Sequence, residues 1–191
     1  MLAGHLDYWR RQLDDLSSPA LATDRPRPAV QSYQGALTRR PLPQTVSDAV
    51  DAAARHHRVH LHDIREPLDG HVTPSGDHVR GLVEFLKGWR NDEPLLVHCW
   101  AGISRSTATA FIAACLHNPQ TDEREIALGL RAASPTAFPN TRIVAFADEL
   151  LNRGGRMTAA VEAMGESDFA EEAAPFSIPS VYGARIGAAR A

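Results

Sequence analysis

Apolar positions in the second half of the chain follow two different spacings. Leu95 to Val97 is a short apolar run, as expected of a strand that is buried on both faces of a parallel sheet. Before it, apolar residues over 79–89 recur at intervals of three and four, which predicts an amphipathic helix with Ser75 as its N-cap. Apolar and polar residues alternate over 59–64, which predicts an earlier strand. Strand, helix and strand in this order indicate an α/β domain.

Four more helices are predicted after that second strand. The first spans about 104–116, and the second starts after Thr121 as its N-cap. The third starts after Asn140 as its N-cap and ends near Leu151, and the fourth spans 156–164. After residue 165 the chain is acidic and then rich in Pro, Ser, Gly and Ala, a composition that predicts a mobile tail over 166–191.

The first 53 residues have a different character from the rest. A Pro-rich connector separates an N-terminal helical pattern from a strand-like piece around 33–39, and an amphipathic helix is predicted over about 44–55. The helical pattern consists of Leu2, Leu6, Trp9, Leu13 and Leu16. We therefore divide the chain into an N-terminal segment, 1–53, a main domain, 54–165, and the tail.

Composition excludes several classes of function. The chain has 191 residues and a net charge of -3, so it offers no basic excess to attract nucleic acid or an anionic membrane. No apolar stretch is long enough to cross a bilayer, and the N-terminus has no secretory signal. Two cysteines do not make a disulfide framework, which predicts a cytoplasmic protein in a reducing compartment.

The stretch between the apolar strand and the next helix has the residue types of an anion-binding loop. It reads His-Cys-Trp-Ala-Gly-Ile-Ser-Arg-Ser over 98–106, with a thiol near its start and a guanidinium near its end. Backbone N–H groups and the helix N-terminus attract phosphate there, and Arg105 can hold two phosphate oxygens. The same positive field favours the thiolate of Cys99, which is the nucleophilic form. Gly102 stands where the loop must turn tightly.

On these residues the chain resembles the cysteine-dependent protein tyrosine and dual-specificity phosphatases, over roughly 55–165. The signature of that family is matched at His98, Cys99, Arg105 and Ser106. The resemblance implies an α/β fold with a short, mostly parallel sheet flanked by helices. It also implies an enzyme that hydrolyses phosphotyrosine, or both phosphotyrosine and phosphoserine or phosphothreonine, without a metal or a cofactor.

The resemblance further implies a role for each residue of the site. Cys99 attacks phosphorus and forms a phosphocysteine, which water then hydrolyses. A general acid on an upstream loop protonates the leaving oxygen, and Asp63 matches its position, with Asp69 as the alternative. Ser106 stabilises the leaving thiolate in the second step. His98 either orders the loop by hydrogen bonding or is a core histidine without a role in the chemistry. The phosphate oxygens are held by Arg105 and by the backbone of Trp100, Ala101, Gly102, Ile103 and Ser104.

Pieces of the N-terminal segment resemble an internal part of a nonribosomal peptide synthetase condensation domain. They are Tyr8–Leu13, Thr23–Pro28, Gln31–Tyr33 and Gly35-Ala36. The catalytic pattern of that domain is absent, since Leu61 and His62 stand where Asp and Gly should follow His56-His57. We interpret the segment as a fragment without condensation chemistry. If it supplies none of the N-terminal strands that the phosphatases have, the sheet keeps an uncovered edge and the chain is marginally stable or self-associates.

Other interpretations remain open at this point. A phosphate-binding module without turnover would keep the loop, and an interaction fragment of a peptide synthetase would rest on the first 53 residues. His60 and His62, next to Asp63, suggest a zinc site, although no second ligand pair is seen. Asn140 and Arg142 either contact substrate or serve as a helix cap and a solvated side chain. The leading hypothesis is a phosphatase whose partner is a phosphorylated protein or a small phosphomonoester, with no nucleic-acid or membrane partner.

Overall fold

The computed structural model of the protein describes residues 29–34, 55–91 and 94–182. Within these ranges the chain forms three strands and five helices, which confirms the α/β class. In chain order they are β1 (Ala29–Gln34), β2 (Arg55–His60), α1 (Gly76–Lys87), β3 (Leu95–His98), α2 (Arg105–His117), α3 (Glu123–Ala133), α4 (Thr141–Leu150) and α5 (Arg156–Glu162).

The sheet is parallel, and its strand order is β2-β1-β3. Ala29 of β1 is in register with Arg55 of β2 and with Leu95 of β3. The central strand therefore comes from the N-terminal segment. The expectation of a marginally stable chain rested on that segment supplying no strand, and β1 removes this premise. Because β3 ends at His98, the 99–105 loop starts at the carboxyl edge of the sheet, where α/β sheets bind ligands.

The two earlier strands lie about four residues before their predicted positions. β2 ends at His60, because residues 61–64 leave the sheet and turn toward the 99–105 loop, where Asp63 finds its hydrogen-bond partners. Apolar alternation in the sequence continues past that point and so does not mark the end of the strand. The helices predicted near the N-terminus and over 44–55 lie outside the described residues, apart from Arg55, which belongs to β2.

The helix starts after residue 70 agree with the capping signals in all but one case. Ser75 and Asn140 are the N-caps of α1 and α4 as predicted, and α2 begins after Ser104, the first residue of the predicted helix. The N-cap of α3 is Asp122, whose side chain accepts a hydrogen bond from the backbone N–H of Arg124, and not Thr121 as predicted. A carboxylate at this position also interacts favourably with the helix dipole.

Helix α2 forms the centre of the core. Phe111, Ile112 and Cys115 on it are fully buried, and burial raises the pKa of the Cys115 thiol to about 12. The hydroxyl groups of Tyr33 and Thr109 lie 2.5 Å apart and join β1 to α2, and burial raises the pKa of Tyr33. No helix in the described part of the chain is long and apolar enough to cross a membrane.

The C-terminal segment makes defined contacts as far as Tyr182. We call residues 166–182 the strap. The backbone N–H of Ala173 donates to the carbonyl of Ala101 at 2.8 Å, and Asn118 binds Ser180 and Tyr182. Phe176, Ile178 and Tyr182 pack against the core. These contacts lie in the described part of the segment for which the composition predicts a mobile tail.

A buried ion network joins α3 to the start of α5. The carboxylate of Glu123 accepts hydrogen bonds from Arg153 at 3.0 Å and from Arg156 at 3.2 Å, and both Glu123 and Arg153 are buried. Burial would raise the pKa of Glu123, but the hydrogen bond from Arg156 and the charges of both arginines lower it overall.

We expect Glu123→Gln to lower the free energy of unfolding at pH 7 by about 2 kcal/mol, because it leaves the Arg153 charge buried and unpaired. Since the pKa of Glu123 is lowered by folding, its contribution is complete above the unfolded pKa of about 4.3 and is lost as the pH falls through the folded value. Urea unfolding at pH 7 and pH 3 measures both effects. Glu125→Gln, an exposed change on the same helix, is the control, and equal destabilisation by both variants would contradict the prediction.

Candidate active site

Three carbonyl groups of the 99–105 loop accept hydrogen bonds from backbone N–H groups outside the loop. The carbonyl of Ala101 accepts from the strap, and that of Ile103 accepts from the backbone N–H of Phe138 at 2.9 Å. The carbonyl of Ser104 accepts from the backbone N–H groups of Ala108 and Asn140. These bonds attach the loop to the strap, to α2 and to the residues before α4.

The N–H groups of the same loop are available. Among the described residues, none accepts a hydrogen bond from the backbone N–H groups of residues 100–105. Ser104 is the N-cap of α2, but its side chain makes no capping bond and donates instead to Asp63. Gly102 has a φ of +73°, the left-handed conformation that glycine adopts without strain. A loop with outward carbonyls and unpaired N–H groups at a helix start is suited to bind an anion.

The thiol of Cys99 lies at the start of this loop. Its side chain is largely buried, and Sγ is 3.1 Å from Oγ of Ser106. When the sulfur is a thiolate, the Ser106 hydroxyl is the donor in this contact. The Ser106 hydroxyl therefore contacts the sulfur beside the loop whose N–H groups have no partner among the described residues.

Arg105 closes the loop with a buried guanidinium. One terminal nitrogen donates to the carbonyl of Leu61 at 2.9 Å, which orients the group. Within the described residues Nε of Arg105 has no hydrogen-bond partner, and the nearest carboxylate oxygen, Oδ2 of Asp63, is 3.6 Å away. A buried arginine with an unused donor can still bind a ligand oxygen.

Asp63, and not Asp69, contacts the loop. Its Oδ1 accepts from Oγ of Ser104 at 2.7 Å and from Nδ2 of Asn140 at 2.8 Å, which leaves Oδ2 to face Arg105. Asp69 is exposed, and its backbone carbonyl binds Nδ1 of His71 within its own turn.

Asn140, for which the sequence left open a substrate contact or a helix cap, contacts Asp63 as well as capping α4. It is almost fully buried, and its Oδ1 caps α4 by accepting from the backbone N–H of Ile143 at 3.1 Å, while its Nδ2 holds Asp63. The sequence identified it as an N-cap, but no local pattern links it to an aspartate 77 residues earlier. Its contact is with Asp63, which makes it a positioning residue.

His98 immediately precedes the loop. Burial lowers the pKa of its imidazole, and the nearby His56 and Arg58 lower it further, while a hydrogen bond with the Cys99 backbone raises it. The ring is therefore neutral at pH 7, and its contact with Cys99 is consistent with a role in ordering the start of the loop.

The histidines next to Asp63 do not assemble a metal site. The described residues contain no group of three or more His, Cys, Asp or Glu side chains that could hold a metal ion. The rings of His60 and His62 are 6.1 Å apart, and Nδ1 of His62 accepts a hydrogen bond from the backbone N–H of Val72. A ring nitrogen used as this acceptor is not open to a metal.

Comparison with known proteins identifies a family for this chain. Residues 37–134, slightly more than half of the chain, match the family model described as Protein-tyrosine phosphatase. The match includes Asp63 and the whole 99–105 loop, whereas β1, Asn140 and the strap lie outside it. No solved structure matches the chain. The resemblance of the first 53 residues to a condensation domain is not shown.

Proposed function

Because the chain belongs to the protein-tyrosine phosphatase family, we propose that it hydrolyses phosphomonoesters through a phosphocysteine on Cys99. The observation that carries the proposal is the loop itself. Its N–H groups are unpaired within the described chain, a buried Arg105 keeps an unused donor, and a thiol lies at the loop start. These features support binding of a phosphate dianion with its phosphorus against the sulfur.

The first step forms the Sγ–P bond and breaks the P–O bond of the ester. Cys99 attacks in line, and the electron pair of the broken bond moves to the leaving oxygen, which takes a proton from Oδ2 of Asp63. Arg105 and the loop N–H groups stabilise the equatorial oxygens, on which the transition-state charge is spread.

The second step returns the enzyme to its starting form. Asp63, now a carboxylate, takes a proton from water, and the water oxygen attacks phosphorus as the Sγ–P bond breaks. The leaving thiolate accepts the hydrogen bond of Ser106, whose oxygen is already 3.1 Å from the sulfur. The products are inorganic phosphate and the free thiolate, and no step needs a metal.

The substrate we propose is a phosphorylated protein, with phosphotyrosine as the first candidate and phosphoserine or phosphothreonine as further ones. Trp100, which is half exposed, and Ile103 occupy loop positions where inositol-lipid phosphatases of this superfamily usually have lysine. Without those cations, the loop is less suited to a highly charged headgroup.

One contact favours a second candidate, a phosphate-binding module without turnover. Oδ1 of Asp63 is held by Ser104 and Asn140 and Oδ2 lies 3.6 Å from Nε of Arg105, whereas the acid role needs this carboxyl group to reach the leaving oxygen. The two functions differ in whether a phosphate is transferred to the sulfur.

Trapping the intermediate separates the two. We expect acid quenching during turnover of a phosphotyrosyl peptide to leave a phosphate adduct on the peptide that contains Cys99, detectable by mass spectrometry. Saturable peptide binding with neither an adduct nor released phosphate would instead establish the binding module.

The bend at Gly102 gives a further prediction. Gly102→Ala forces an L-residue into the left-handed region at a cost of about 1–2 kcal/mol, and its new methyl group would lie 3.4 Å from Cβ of Ala173. We expect kcat/KM for p-nitrophenyl phosphate to fall about tenfold, because the strain is applied where the N–H groups must converge.

Gly70→Ala is the matched control for this change. Gly70 has a φ of +76°, and an added methyl group there would meet nothing within 4 Å. Both variants carry a similar backbone strain, so thermal unfolding should shift by similar amounts while only Gly102→Ala loses activity. Equal activity in the two variants would show that the bend at Gly102 is not needed for phosphate binding.

A further inference from the structure

An exposed arginine lies beside the proposed phosphate site. Arg65 follows Asp63 by two residues, and its Cζ lies 4.7 Å from the centroid of the Phe138 ring. The backbone N–H of Phe138 in turn donates to the carbonyl of Ile103 in the 99–105 loop. Stacking on this ring therefore holds the Arg65 guanidinium at the rim of the loop.

Arg142 fixes the backbone that carries Arg65. It donates to the carbonyls of Pro74 at 2.7 Å and of Arg65 at 3.1 Å, and its Cζ lies 5.3 Å from the ring centroid of Phe146. The backbone of Arg65 is thus attached to α4, the same helix whose N-cap holds Asp63. The acid and the exposed guanidinium are positioned by one element.

The charge of this pair of arginines is not neutralised by the described residues. No carboxylate among them forms a salt bridge with Arg65 or with Arg142, and Asp63 is engaged by Ser104 and Asn140. Glu66 is exposed and makes no salt bridge within the described chain. An arginine on an aromatic ring loses less side-chain entropy on binding an anion than one that is free in solvent, and its planar fork matches a carboxylate or a phosphate.

We propose that Arg65 binds a second anionic group of the substrate, a carboxylate or a phosphate, next to the phosphoester that is hydrolysed. This inference rests on the proposed phosphatase function and makes its substrate class more specific. The preferred substrates are phosphopeptides with an acidic or a second phosphorylated residue beside the phosphotyrosine.

Peptide selectivity tests the proposal. The test uses three kinds of phosphotyrosyl peptide, with alanine, glutamate or phosphoserine next to the phosphotyrosine. Each flanking residue is placed on the N-terminal side in one version and on the C-terminal side in another, and the peptides are otherwise identical. We expect one of the anionic flanks to raise kcat/KM about tenfold over alanine at low ionic strength, and salt to reduce this ratio. Arg65→Gln should bring the ratio to about one, and Phe138→Leu, which removes the ring beneath the guanidinium, should lower it partly.

The remaining peptides and variants identify the source of the effect. A gain with glutamate assigns a carboxylate ligand, and a gain with phosphoserine alone assigns a second phosphate. Arg124→Gln, an exposed change on α3, should keep the full ratio and controls for net charge.

A binding measurement keeps the inference separate from the chemistry. In the Cys99→Ser background the same peptides are compared by their Kd, since no phosphate transfer occurs there. If the parent protein does not hydrolyse the peptides, the proposed phosphatase function is wrong, whereas the role of Arg65 in binding is still tested by the Kd values. Equal Kd and kcat/KM for the three peptides, or a preference that survives in Arg65→Gln, overturns the role of Arg65.

Discussion

Cys99→Ser is expected to abolish hydrolysis of p-nitrophenyl phosphate, with a loss in kcat of about 10⁴-fold or more. A serine hydroxyl at this position would contact Ser106, which is a hydroxyl and does not act as a base. The phosphate-binding N–H groups and Arg105 remain in the variant, so we expect phosphate still to bind. Initial rates across mildly acidic pH and inorganic-phosphate inhibition measure the two properties.

Cys115→Ser is the matched control, since it removes the other thiol of the chain. Cys115 is fully buried in α2, and burial raises its pKa to about 12, so it provides no thiolate at neutral pH. This variant should keep its activity to the extent that it stays folded, which thermal unfolding reports. Residual turnover of a few per cent in Cys99→Ser would show that another nucleophile carries the reaction.

Asp63→Asn is expected to lower kcat by about 10²–10³-fold for phosphotyrosine, because the leaving oxygen then departs without a proton. The effect should be smaller for p-nitrophenyl phosphate, whose leaving group is a stable anion. The asparagine carbonyl can keep both hydrogen bonds of Oδ1, so the fold should be retained.

Asp69→Asn separates this role from a general effect of charge. Asp69 is exposed and is on the same loop as Asp63, yet within the described residues its side chain makes no hydrogen bond or salt bridge with the 99–105 loop. It should keep the activity and the pH profile of the parent. If Asp69→Asn lost activity while Asp63→Asn kept it, Asp69 would be the acid. The segment that carries Asp69 would then have to move toward the 99–105 loop when substrate binds.

The sequence was most informative where the chemistry is contiguous. Cys99, Arg105 and Ser106 lie within one short strand–loop–helix unit, and local geometry is enough to bring a thiol, a guanidinium and a hydroxyl together. Most helix starts were predictable for the same reason, because N-caps such as Asn140 act within one turn.

Features that depend on distant pairing were not predictable in this way. The pairing of Asp63 with Asn140 joins residues 77 positions apart, and the strap reaches the 99–105 loop from Ala173. Strand limits are likewise decided by the neighbours in the sheet, so the alternating pattern over 59–64 did not show where β2 ends. The role of Arg65 also depends on a ring from a later part of the chain.

The position of β1 in the sheet has a consequence for how the chain folds. β1 precedes both of its partners, and its register pairs Ala29 with Arg55 and then with Leu95. Of the three described strands the central one is made first, and its partners in this sheet, β2 and finally β3, emerge later. Pairings of such long sequence separation form slowly, and the unpaired strand is exposed to wrong partners meanwhile. We therefore expect refolding to be limited by the docking of β3, the strand that carries the nucleophile, so that activity returns only in the slowest phase.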